Sequence, residues 1–492
     1  MNAMMSNINY ADLFRITLPE TMLEIISLLV LIVDLAWLRK SSRAVRMGTA
    51  CWLGVLGCAA AIGWLIQYPQ VEAIAGGSLV ATPLVSAAQI GILALTALVL
   101  LLSVTTEFSR NPGEFVAIVL LGTTGMMLVT AARDLLIIFV ALELLSLSLY
   151  VLTAFAKSSA QSAEAALKYY LFGGMSAALM LFGFSYLYGL TGTTNLSQMT
   201  YALSGGTVPL AIVALVLVAA GLGFKVAAVP FHLWAPDTYQ GAPAPVTSLI
   251  ASGSKVASFA LLIAVTEGII TPGNSTYSAN GNSWVTLLLT MAAASIVLGN
   301  LAALVQTSVR RLLAYSAIAH AGYMLLGIAA HTNQSGAAVL YYALTYALTT
   351  VGAFGVIGVV ERTTGSDRLD AFAGLSKRNP LLAATMLVFL LSLAGIPPLV
   401  GFWAKFNLFA AVLRATAAGS WGLALVIASL AASAVSLYYY LQVLKRVYVM
   451  PPLRDEPMRV TLLESITLAA IALAVVALGL LPGLLSDWIP LG

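Results

Sequence analysis

Residues 221–245 read GLGFKVAAVPFHLWAPDTYQGAPAP. Lys225 stands near the end of an apolar run that begins at about residue 208, and Pro230 follows within two turns. Pro236, Pro243 and Pro245 come next. Proline removes a backbone donor and disrupts the helix around it. The run therefore reads as a helix that breaks just past a lysine. At membrane depth such a break is tolerated where it lines a hydrated cavity or is buried in protein.

The rest of the chain says that the surroundings are membrane. Hydrophobic residues make up 60% of 492, and charged residues only 9%, against about 25% in a soluble domain. A chain this apolar needs lipid as its solvent. The net charge of +4 says little about partners. Cys51 and Cys58 share one apolar stretch and read as small core residues, with neither a disulfide nor a metal site suggested. Three histidines and no Cys/His cluster point away from haem, zinc and iron–sulfur sites. The first apolar run, Leu18 to Leu38, follows an uncharged start and is long enough to span, so it reads as a retained helix rather than a cleaved signal.

A span needs roughly 20 mostly apolar residues. Fourteen stretches qualify: about 19–38, 46–66, 82–104, 114–131, 134–155, 165–189, 208–230, 244–268, 284–305, 310–330, 335–360, 381–410, 419–445 and 462–483. The expected fold is all-α and polytopic. Alternate loops hold sixteen Lys and Arg residues against three. By the positive-inside rule both termini then face away from the cytoplasm. The inside set includes Arg39, Lys40, Lys157, Arg310, Arg311, Arg362 and Arg454.

Four lysines remain, and all fall within expected spans: Lys168, Lys225, Lys255 and Lys405. A charged residue at a helix centre costs about 2.5–3.5 kcal/mol on translocon scales. Lysine suits proton transfer, because its proton affinity shifts readily when it is desolvated. Glu143, near the middle of the fifth span, reads as an ion-pair partner for a lysine on another helix, or as a neutral acid hydrogen-bonded to its neighbours. Lys255 lies about eleven residues into its span, among Ser252, Gly253, Ser254 and Ser258. Lys405 follows a second break at Gly395 and Pro397-Pro398. Lys168 is nearest an end, where it snorkels or takes part. His320 reads as a proton relay or a hydrogen-bonded core residue. His232 and Asp237 read as helix-end or gating residues, and His331 as a surface residue.

Arg133 to Glu143 and Arg310 to His320 are both separated by ten positions, at an offset of 177. Lys225 and Lys405 differ by 180. These spacings suggest two five-helix repeats, spans 4–8 and 9–13, the second inverted because five is odd. The expected segments are 1–110 (three helices), 111–270 (first repeat), 271–447 (second repeat) and 448–492 (last helix).

Several strings then carry a family resemblance: ALELLSLSLYVL around Glu143, EAALKYYLFGG around Lys168, FKVAAVPFHLWAPDTYQGAPAPVT, RRLLAYSAIAHAGYMLLG and GIPPLVGFWAKF. Together they resemble the antiporter-like subunits of respiratory complex I over roughly residues 19–483. The early PETMLEIISLLVLIVD segment and the context of Lys168 look like the N type. The chain also stops soon after the fourteenth span, where the L type would continue into a lateral helix. The resemblance implies a proton-translocating membrane subunit of an NADH:quinone oxidoreductase in a bacterial inner membrane. It would pack against other membrane subunits, further antiporter-like ones among them. This chain would hold no cofactor; FMN, iron–sulfur clusters and quinone would belong to partners. By motif position Glu143 and Lys225 form the ion pair. Lys255 links the halves, His320 lies on the central axis, Lys405 serves the terminal half-channel, and Lys168 joins the proton-transfer set. Arginine at Arg310-Arg311, where the family often has lysine, is expected to matter little. An Mrp-type sodium/proton antiporter subunit, a ferredoxin- or hydrogenase-linked relative, and a scaffold whose charges only fix packing stay open. Buried lysines favour H⁺, since Na⁺ wants oxygen ligands and a nearby ammonium repels it.

Overall fold

In lipid every backbone N–H and C=O must find its partner within the protein, and this chain does so with helices. The computed structural model describes residues 10–489 apart from 69–71, 75–76, 107, 204–208, 271–278, 333, 416–418 and 453–455. Arg454 and the expected segment boundary at 270/271 thus touch or lie outside the described residues.

The first third runs α1 (Tyr10–Ile16), α2 (Leu18–Ile32) with a π-turn (Val33–Trp37), α3 (Arg43–Gln67), α4 (Pro83–Ser103) and α5 (Pro112–Ala131). Next come α6 (Leu135–Thr153), α7 (Ala160–Thr191), the short α8 (Leu196–Leu203) and α9 (Pro209–Val226). The middle holds α10 (Trp234–Gly241), α11 (Ala244–Ala251), α12 (Gly253–Ile269), α13 (Ala279–Leu304), α14 (Val309–Ala330) and α15 (Ser335–Thr364). The last part holds α16 (Leu375–Arg378), α17 (Pro380–Ala394), α18 (Val400–Arg414), α19 (Gly419–Tyr448), α20 (Leu462–Leu480) and α21 (Gly483–Ser486). One departure from an all-helical chain is a small antiparallel hairpin, β1 (Glu72–Ile74) with β2 (Leu79–Ala81).

Among the described residues twelve helices are long and apolar enough to cross a bilayer, α11 and α12 counting as one. The two other expected stretches hold α2 with its π-turn and the broken pair α17–α18. Local chemistry sets the ends. Asp134, Ser159, Ser308 and Asn379 cap α6, α7, α14 and α17 with side-chain oxygens on backbone N–H groups. Thr461 and Glu464 form a capping box at α20. The helices α12, α14 and α15 are buried almost throughout, while α3, α7 and α19 turn apolar side chains such as Leu56, Phe182 and Ile427 outward. Outward leucines and isoleucines are what a lipid-facing surface requires.

Two packing details recur along the chain. Gly125 of α5 lies so close to α6 that an added Cβ would meet the backbone at Ala141 and Leu145, the nearest atom at 2.7 Å. Gly299 of α13 meets Tyr315 and Ala319 of α14 in the same way, at 2.6 Å. Glycine lets helix backbones approach this closely. In addition, Asp134 bridges Asn195 just after α7, and Ser308 bridges Arg368 just after α15. The glycine contacts repeat at an offset of 174, not 177. At that spacing Ser146 stands to α6 as His320 does to α14, whereas the arginine spacing sets Glu143 against His320; a glycine under a neighbouring backbone constrains packing directly, and an arginine-to-ionisable spacing does not.

The two lysines separated by 180 sit on opposite sides of their breaks. α9 ends where Ala227 takes a positive φ of 58°, and α17 ends where Gly395 takes 87°. Lys225 therefore precedes its break, while Lys405 follows its own. A third interruption, at Ser252 between α11 and α12, was not expected. The cluster Ser252-Gly253-Ser254 was its sequence signal, and Ser252 Oγ bonds back to Ser248 O at 2.5 Å.

Candidate functional site

Around the first break the freed backbone groups are satisfied inside the protein. Val229 N donates to Ser295 Oγ at 2.9 Å, and Trp234 Nε1 donates to Phe224 O at 2.9 Å. The break thus costs few orphan groups, and it leaves Lys225 buried in the last turn of α9. Lys225 Nζ donates to Ser146 Oγ of α6. Glu143, one turn earlier on α6, makes no ion pair with it: none within 4.0 Å is found among the described residues. Its Oε1 is buried without a hydrogen-bond partner among the described residues. The expected contact is thus replaced by a serine standing at i+3 from the acid, on the same helix face.

At the centre Lys255, in the first turns of α12, donates to Ala317 O of α14 at 2.5 Å. One turn on, His320 Nδ1 is 2.8 Å from Tyr342 OH, and Nε2 is 3.4 Å from Tyr440 OH. Tyr440 also bonds Ser316. A cavity of about 10 Å³ beside His320 is lined by Tyr342, Thr345, Thr349 and Ser392, with Thr349 Oγ1 3.5 Å from Ser392 Oγ. That volume is about the minimum for one water molecule.

Lys405 uses the second break directly. Its Nζ donates at 2.7 Å to Ala394 O, the carbonyl released where α17 stops, and at 2.6 Å to Ser433 Oγ of α19. Position 395 needs glycine twice over. Its φ is positive, and a Cβ there would lie 2.9 Å from the Lys405 chain.

Lys168 is not part of this interior. Its side chain is 40% exposed and bridges Glu164 at 2.7 Å and Asp237 at 2.8 Å. Asp237 also receives Arg311 at 2.6 Å. Burial alone would raise the Asp237 carboxyl, but the hydrogen bonds from Lys168 and Arg311 outweigh it and hold the group below its usual value. Asp237 is therefore a tie between α7, α10 and α14 rather than only a helix-end residue. Arg310 is buried, donates to Gln240 O (2.7 Å) and Ala242 O (2.8 Å), and reaches Glu361 at 3.3 Å. Nη1 holds both carbonyls while Nη2 faces Glu361, two nitrogens where a lysine would have one. His331 caps α14 with a left-handed backbone and is half-buried, not a surface residue.

Two larger cavities flank the lysines. One of about 300 Å³ lies at the Arg310 end, lined by Gln240, Pro245, Ser248, Arg310 and Glu361. The buried Ser248 hydroxyl there has no partner. The other, about 290 Å³, lies at the opposite ends of α12 and α14, lined by Thr266, Glu267, His331 and Ser335.

Sequence reasoning missed Ser146, Ser433, Tyr342 and the two backbone carbonyls. Carbonyl ligands leave no mark in a sequence. Ser146 was findable from its place one turn past Glu143.

Residues 132–433 match the family model for "NADH:quinone oxidoreductase/Mrp antiporter, TM". The chain is similar to NADH-quinone oxidoreductase subunit N 2 of Acidobacterium capsulatum, 48% identical over 99% of this chain and 100% of that one. It is also similar to a chain of respiratory complex I from Thermus thermophilus, 35% identical, TM-score 0.80, covering 96% of this chain and 100% of that one. A chain of the Mrp complex from Dietzia sp., at 22% identity and TM-score 0.79 over 96% of both, shares the fold.

Proposed function

This chain belongs to the NADH:quinone oxidoreductase/Mrp antiporter transmembrane family, beside the N subunits of NADH-quinone oxidoreductase, and we propose that it moves protons across the membrane as such a subunit. It is a membrane protein, and its role in the enzyme is translocation rather than redox chemistry.

The observation that carries the mechanism is the placing of three lysines. Lys225, Lys255 and Lys405 are buried at helix interruptions, each with its Nζ on a neutral oxygen. Lysine in such a place holds a proton until a neighbouring charge changes. In this reading protons enter from the 300 Å³ cavity past Ser248. Glu143 and Lys225 form one charge-coupled station through Ser146, Lys255 with His320 forms the central one, and Lys405 the last. Thr345, Thr349 and Ser392 carry protons between the last two. Lys168 acts from the rim through Asp237.

The segments 1–110, 111–270, 271–447 and 448–492, with the middle two as inverted repeats, follow the same reading. So do a bacterial inner-membrane location, termini on the non-cytoplasmic side, neighbouring antiporter-like subunits, and FMN, iron–sulfur clusters and quinone in partner chains. The test is Lys255→Ala in the assembled enzyme, with NADH-driven proton uptake measured against electron transfer. Loss of pumping in an intact complex supports the reading. Unchanged pumping contradicts it.

A further inference from the structure

Of the eight lysines in the chain, three are buried, and those three share a feature that no other lysine shows among the described residues. Each ammonium sits against the ring of a tyrosine on another helix. Lys225 Nζ of α9 is 5.9 Å from the ring centre of Tyr150 on α6. Lys255 Nζ of α12 is 5.4 Å from Tyr346 on α15, and Lys405 Nζ of α18 is 5.7 Å from Tyr323 on α14. Lys225 has Phe224 at 5.5 Å as well. All these separations lie within the roughly 6 Å reach of a cation–π contact.

Cation–π contacts occur about once per 70–80 residues, so a handful in this chain is ordinary. Their placement is not ordinary. None of the three lysines makes an ion pair within 4.0 Å among the described residues. A buried ammonium needs some compensation for lost water, and the hydrogen bonds to Ser146, Ala317 O, Ala394 O and Ser433 come only from neutral oxygens. An aromatic face adds negative potential without adding a proton acceptor.

The rings are themselves held in place. Tyr346 packs on His320 at 4.9 Å, Tyr323 OH accepts from Asn300 at 3.2 Å, and Tyr150 meets Tyr169 edge-on at 4.7 Å. We propose that Tyr150, Tyr323 and Tyr346 are positioning residues that host the ammonium forms of Lys225, Lys405 and Lys255 through their ring faces. At Lys255 and Lys405 the ring stands where a carboxylate would otherwise be. A full counter-ion would trap the proton. A ring stabilises the charge and leaves the proton free to pass to the next group. The proposal rests on the reading that these lysines carry protons.

The test uses the assembled enzyme in liposomes. Position 346 carries Phe (Tyr346→Phe), then phenylalanine with one, two and three ring fluorines. Fluorine weakens the face potential in steps while it preserves the shape of the ring. Tyr346→Phe is the reference for the series, since it keeps the ring and removes only the hydroxyl. The NADH-driven pumping rate should then fall with each fluorine, to about one-fifth at three. A flat series overturns the proposal, and so does loss of pumping already at Phe, which would assign the hydroxyl. Lys255→Ala runs alongside. Pumping that survives this change removes the underlying reading and the proposal with it. Pumping lost in Lys255→Ala but flat across the fluorine series removes only the ring's role. The same series at position 323 should decline as well, and a flat one there overturns the assignment for Lys405.

Discussion

α6 and α14 each lie beneath a glycine of the preceding helix, yet they greet a buried lysine differently. α6 offers Lys225 a serine, with a carboxylate one turn away. α14 offers Lys255 a backbone carbonyl, with an imidazole one turn away. Lys225 has a carboxyl group one turn from its hydrogen-bond acceptor, while Lys255 has only dipoles and a ring. Equivalent scaffolding therefore holds two electrostatically different stations. A proton path needs such a difference, since identical sites would give a proton no reason to move on. A second contrast lies at the breaks: Lys225 precedes its interruption, whereas Lys405 reaches back to Ala394 O across its own.

The largest expected effect comes from erasing the first contrast. Glu143→Gln removes the carboxyl group beside the Lys225 station and should lower coupled pumping about tenfold, a loss of about 1.4 kcal/mol. Pumping assays on an enzyme that still assembles check this, and an unchanged rate would mean that the two stations do not differ by charge. Ser146→Ala should cost less, about threefold, because a water in the space of the lost hydroxyl accepts the Lys225 hydrogen bond nearly as well. An effect equal to that of Glu143→Gln would move the key role from the acid to the serine.

Arg310→Lys keeps the charge but has one nitrogen for the places of two, Nη1 on Gln240 O and Ala242 O and Nη2 toward Glu361. It should lower thermal stability by about 1–2 kcal/mol and change pumping by less than about twofold. The smallest effect belongs to Asp237→Asn, which loosens two half-exposed bridges worth about 1 kcal/mol or less together. Since the Asp237 carboxyl is held below its usual value, its contribution is complete at neutral pH and lost only as pH falls through and below the carboxylate range. Thermal midpoints of parent and variant should therefore keep their gap from pH 7 to pH 5 and converge under more acid conditions.

Much of the fold was legible because its cause is local. Apolar runs of membrane length mark helices, and Pro230, Gly395 and Pro398 mark two of the three interruptions. The Ser252 interruption was hidden, since serines and a glycine in a membrane helix usually signal close packing rather than a break. Among site residues, the lysines announced themselves by the expense of burying charge. Their partners did not, because Ala317 and Ala394 act through backbone carbonyls that any residue carries. The glycine contacts that recur at a spacing of 174 were hidden for a related reason. Arg133, Glu143, Arg310 and His320 are conspicuous letters, but Gly125 and Gly299 are what fix the packing.

The most direct test is NADH-driven proton uptake by membranes carrying Lys225→Ala, with assembly of the enzyme checked on a native gel. An assembled enzyme in which pumping and electron transfer fall together is the predicted result, since Lys225 is then part of a coupled path. Wild-type pumping and turnover in an assembled enzyme would make the buried lysine structural and contradict the account.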